Sequence, residues 1–172
     1  LTNICYAFII MGLSLRIILQ PLPFDVIRFL LPISAILEII SISLFAYIIL
    51  STVLSSKEKV GIFDKFFKAG IIWFLISTGI NFGMMVHVYK HATYEIPRAI
   101  FSPFVHLYLF GFVFMFIFAI NIRTVFAFLD IKPVREKAVN LTFWVMNISV
   151  PIYFIAHMFA DRNIIALRVS QF

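Results

Sequence analysis

Five long apolar runs, divided by short charged or proline-containing breaks, constrain this chain more than any other feature. They extend from about Ile4 to Leu19, Val26 to Leu54, Phe66 to Tyr89, Arg98 to Leu129 and Ala138 to Phe159. A helix needs about 20 predominantly apolar residues to cross the hydrocarbon core of a bilayer. The runs are continuous rather than alternating, which excludes membrane β-strands. The expected fold is therefore all-α, a multi-pass transmembrane helical bundle of five to six membrane helices in one domain over residues 1–172. Asn163–Phe172 reads as the start of a sixth segment. Gln20-Pro21-Leu22-Pro23 should end the first helix, because proline removes a donor and restricts its predecessor. Pro32 falls where a helix tolerates proline, in its early turns. Pro103 and Pro151 are expected to kink the helices that hold them. Residue 1 is Leu and the first run starts at once, so the chain reads as a segment or half of a longer protein.

Composition closes off the soluble alternatives. Hydrophobic residues make up 63% of the 172 and charged residues 13%, about half the usual charged share of roughly 25%. A soluble fold of this size cannot bury that much apolar surface in one core. The net charge of +6 does not imply nucleic acid, because the charges sit in short clusters between apolar runs and not on one basic face. The partner is the lipid bilayer. Cys5, the single cysteine, can form no internal disulfide. Lysine and arginine give a weak positive-inside bias. Eight lie in the loops after helices two and four: Lys57, Lys59, Lys65, Lys68, Arg123, Lys132, Arg135 and Lys137. Six lie on the other side: Arg16, Arg28, Lys90, Arg98, Arg162 and Arg168. The count places the loops after helices two and four in the cytoplasm.

Four histidines are the first candidates for chemistry. Helix three ends near His87 with His91 just beyond it, helix four meets His106 within about two turns, and helix five ends near His157. Helix alternation alone puts all four on one side of the membrane, by the loop count the outer side. Neutral imidazole ligates haem iron and copper. Facing histidines on neighbouring helices are how a helical bundle holds a haem. His106 is the most deeply placed and the first choice of ligand, with His157 as its partner and His87 as the alternative. His87 and His91 are four apart and share a helix face, a spacing that suits a metal. The plain reading is that histidines near helix ends are interfacial groups. Gly79-x-x-x-Gly83-x-x-x-His87 reads first as a helix-packing face and second as room for a flat macrocycle leading to His87.

Glu38 lies roughly 16 Å along helix two, near the membrane midplane. A carboxylate there is costly and is a functional candidate by default. Ser34, Glu38 and Ser41 form one stripe that should face the bundle interior. Two readings stand for Glu38: a proton relay, or a protonated carboxyl bonded to a neighbouring helix. Asn81, Asn121, Asn140 and Asn147 read as interhelical hydrogen-bonding groups. Arg123 can snorkel to the headgroups or pair with a haem propionate. It lies about 26 Å along the helix from His106, too far to share one cofactor with it. The chain has no P-loop, dinucleotide motif or H-E-x-x-H.

His106-Leu-Tyr-Leu-Phe-Gly111, then Arg123 twelve residues on and Pro133 after a turn, resembles the NnrS family. These are haem- and copper-containing bacterial membrane proteins linked to nitric oxide metabolism. Leu15-Arg16, followed by a proline-containing turn and a long apolar helix, is similar to the family upstream. Leu109-Phe-Gly-Phe112 also resembles a run that in the family follows Trp-His-x-His-Glu, so the two family segments read as related repeats. That paired-histidine motif is absent here, and Ala127-Phe128 stands where the family often has Gly-His. Family members are about twice as long, so the chain would correspond to one half. The resemblance implies haem and copper, function in nitric oxide or respiratory metabolism, a membrane redox partner or a homo-oligomer, and the bacterial inner membrane. The competing expectation is a cofactor-free permease segment or membrane scaffold.

Overall fold

The computed structural model describes residues 1–19, 29–55, 61–93, 95–129 and 135–169. The Gln20–Pro23 break, Arg28, Lys57, Lys59, Lys132 and Pro133 lie outside the described residues. The described chain is all-α. Helix α1 is Thr2–Leu19, α2 is Leu30–Ser55 and α3 is Ile62–His91. The fourth apolar run is one continuous rod of three parts: α4 (Arg98–His106), a π-helical segment (Leu107–Val113) and α5 (Phe114–Leu129). The last helix, α6, is Glu136–Val169 and runs on into the stretch expected to open a sixth segment. Among the described residues, five helical stretches are long and apolar enough to cross a membrane. Helices are the expected answer because every backbone N–H and C=O must find a partner inside the segment once water is gone. Pro32 occupies the first turn of α2, while Pro103 and Pro151 lie inside α4 and α6.

The chain divides into two compact units. The first is Leu1–Glu58 with Phe74–Ile96, and the second is Lys59–Trp73 with Pro97–Phe172. Helix α3 therefore contributes its C-terminal part to the first unit and its N-terminal part to the second.

In the first unit α1 lies closely against α2. The contacts run antiparallel, with Cys5 meeting Ser41 and Gly12 meeting Ser34. Gly12 permits the approach: a Cβ there would stand 3.0 Å from the Ser34 carbonyl oxygen and 3.2 Å from Glu38 Cγ. Ser41 Oγ donates to the Cys5 carbonyl at 2.8 Å, and Cys5 Sγ donates to the Ser41 carbonyl at 3.2 Å.

The second unit is packed by aromatics. Phe66, Met115 and Ala119 are fully buried, with Phe67, Phe118, Phe143 and Met146 against them. Phe66 and Phe143 meet edge to face with ring centroids 5.2 Å apart, a favoured aromatic geometry. Gly111, inside the π segment, admits Trp73. A Cβ on it would come within 2.8 Å of Trp73 Cγ. Trp73 Nε1 then donates to Asn147 Oδ1 at 2.9 Å, joining α3 to α6.

Candidate functional site

The best-built polar site is in the first unit, where three helices each contribute one side chain. Ser34, Glu38 and Ser41 are 0%, 5% and 2% exposed, so the stripe faces helices and not lipid, as the sequence requires. Glu38 is held at both oxygens. Arg16 Nη2 of α1 lies 2.9 Å from Oε1, and Asn81 Nδ2 of α3 donates to Oε2 at 2.9 Å. Arg16 Nη1 also reaches Asn81 Oδ1 at 3.4 Å, a long hydrogen bond that closes a triangle. Arg16 Nε is buried and has no hydrogen-bond partner among the described residues. An ionic pair in hydrocarbon is tolerated only when charges and donors match in this way.

Sequence reasoning missed Arg16 in this role. It counted the residue with the outer basic groups, whereas the guanidinium turns inward from the last turn of α1. The available signal was an ionisable group three residues before the end of an apolar run, facing a second helix with its own buried carboxyl.

The histidines fall into different settings. In the first unit His87 and His91 come together at the C-terminal end of α3, with ring centroids 4.3 Å apart and planes tilted by 39°. His87 is half-buried and His91 exposed. Gly79 and Gly83 precede them, and nothing stands within 4 Å of where their Cβ atoms would be. The close helix approach expected of these glycines is thus not made by the described chain.

In the second unit His106 closes α4 and is half-buried. Its Nδ1 lies 3.0 Å from the Ser102 carbonyl oxygen. A carbonyl can only accept, so neutral His106 carries its proton on Nδ1 and leaves the Nε2 lone pair free. Its ring stacks on Tyr153 at 4.4 Å, and Tyr153 stacks in turn on His157 at 5.9 Å. Tyr153, which the sequence reading left unassigned, is the side chain that covers the His106 face. A cavity of about 200 Å³ adjoins them, lined by His106, Phe110, Ser149, Val150 and Tyr153.

That cavity lies below the roughly 300–1,000 Å³ of pockets that enclose larger organic ligands. As arranged, it does not fit a haem macrocycle. Among the described residues no three His, Cys, Asp or Glu side chains converge as a metal-ligand set.

Arg123 is exposed, with its Cζ 5.2 Å from the centre of the Phe63 ring. Asn140 accepts from Lys65 Nζ at 3.1 Å. Asn121 lines an apolar cavity of about 300 Å³ with Phe66, Phe118 and Val139. Neither a family model nor a curated protein nor a solved structure matches the chain.

Proposed function

We propose that the chain is a permease-type membrane segment, free of cofactor, in which Glu38 relays a proton between the two sides of its helix packing. The observation that carries this reading is the Arg16–Glu38–Asn81 triangle, with Glu38 buried and its two partners half-buried among apolar helices. An ionisable group inside a membrane span marks a proton or ion path by default, and this one has the parts a relay needs. Glu38 accepts a hydrogen bond at Oε2 from Asn81 and faces the Arg16 charge at Oε1, which is buried and accepts no hydrogen bond from the described residues. Oε1 therefore has a lone pair open to a proton, and Arg16 has somewhere to go once the carboxyl is neutral, since its Nη1 is already against Asn81 Oδ1 at 3.4 Å. The guanidinium can shift from carboxylate to amide without entering lipid. Its free Nε supplies a buried donor for a water molecule or the polar end of a solute.

The test is proton flux in proteoliposomes carrying a pH-sensitive dye. Wild-type protein should dissipate an imposed pH gradient, and Glu38→Gln should reduce the rate at least about tenfold. A Glu38→Gln protein that conducts like wild type would reject the relay.

A second reading follows from the resemblance to the NnrS family: a haem- and copper-dependent redox protein of the bacterial inner membrane, with a membrane redox partner or a second copy. One observation favours it. The Ser102 carbonyl fixes the His106 tautomer, as carbonyls do for ligating histidines. It requires Tyr153 to leave the His106 face before a macrocycle could enter. A purified protein without a haem absorption band, or an unchanged band in His106→Ala, would reject it.

A further inference from the structure

The C-terminal end of α3 carries two imidazoles that the relay does not use. His87 and His91 are one helical turn apart on one face, their ring centroids 4.3 Å from each other. We infer that they form a chelating site for a divalent transition-metal ion at the membrane rim, separate from Glu38.

Three features support the site. First, spacing: side chains four apart on a helix project side by side, and two imidazoles at this spacing are a recurring metal-binding arrangement. Metal–nitrogen bonds are about 2.0–2.1 Å, so two rings this close can each turn a nitrogen onto one ion. Second, access: His91 is exposed and His87 half-buried, leaving coordination positions open to water or to a group from a solute. Third, charge: α3 stops at His91, and Ala92 follows with φ 51°. That left-handed residue is a common way to end a helix. It leaves the last carbonyls of a 30-residue helix pointing past the histidines, and the negative helix end favours a cation. Lys90, on the neighbouring position, opposes this in part. Imidazole ligands suit Cu²⁺, Ni²⁺ and Zn²⁺, with Cu²⁺ bound most tightly.

The other histidines lack this arrangement. His106 faces a tyrosine ring, and His157 stacks on that same ring from one turn along α6.

The test is Cu²⁺ titration of detergent-purified full chain at neutral pH, followed by calorimetry and by the nitrogen hyperfine pattern in electron paramagnetic resonance. One equivalent should bind with two-nitrogen coupling. His91→Ala, at an exposed position, should weaken binding roughly a hundredfold as a chelate becomes a single ligand. The remaining coupling should be to one nitrogen. His87→Ala should do the same, and His157→Ala should change nothing. Binding that survives His91→Ala with two nitrogens still coupled would overturn the site. So would loss of binding in His157→Ala, or no binding by the wild type. Proton flux is measured on the same variants: if flux fails in wild type while the metal pattern holds, the relay is wrong and the metal site stands.

Discussion

The two units solve the problem of polar groups in an apolar protein in opposite ways. In the first, Arg16, Glu38 and Asn81 from three helices pair with one another, so the polar atoms are concentrated and mutually dependent. In the second, polar contacts are single and dispersed among aromatic rings: Trp73 to Asn147, Lys65 to Asn140, His106 against Tyr153. A concentrated charge network is costly to break at any one point and can hold two states. Dispersed neutral pairs lock helices together one contact at a time. The proposed relay lies in the first unit, and the contacts of the second are those of helix packing.

The largest expected effect comes from breaking the network on one side only. Glu38→Leu leaves Arg16 charged and uncompensated among helices, and should cost about 3–5 kcal/mol of stability, read as the thermal midpoint in detergent. Replacing both partners, Arg16→Met with Glu38→Leu, should recover most of that loss, because apolar residues of similar size need no partner. A single variant as stable as the wild type would show that the pair is not buried in charged form. Next in size is Gly12→Ala. Its Cβ would meet the Ser34 carbonyl, which is backbone and cannot swing aside, so overpacking of about 1–3 kcal/mol is expected. Smallest is Asn147→Leu in the second unit, at about 0.6 kcal/mol, as for typical hydrogen bonds between membrane helices. An Asn147 effect equal to that of Glu38 would erase the contrast between the units.

Much of this architecture was legible in the sequence, for physical reasons. Helices in lipid must satisfy their own backbone, so apolar runs alone marked five spans to within a few residues, α3 beginning four residues earlier and α6 running on past Phe159. Glu38 was legible because a carboxyl cannot face hydrocarbon, and its spacing from Ser34 and Ser41 told which face turns inward. Its partner was not. Arg16 has a side chain long enough to reach either headgroups or a neighbouring helix, and spacing along one helix does not say which. The His106–Tyr153–His157 stack escaped notice because tyrosine in an apolar helix carries no signature that separates it from ordinary packing. The π segment after His106 likewise has no marker in Leu107–Val113 beyond Gly111, whose contact with Trp73 is long-range.

The central claim is that the Arg16–Glu38–Asn81 triangle moves protons and does not merely hold helices together. The most direct measurement is proton flux through proteoliposomes of the paired variant Arg16→Met with Glu38→Leu, set beside its thermal midpoint. The expected result is a midpoint close to wild type with flux reduced to the level of empty vesicles. A paired variant that folds as well as wild type and still conducts protons would contradict the account.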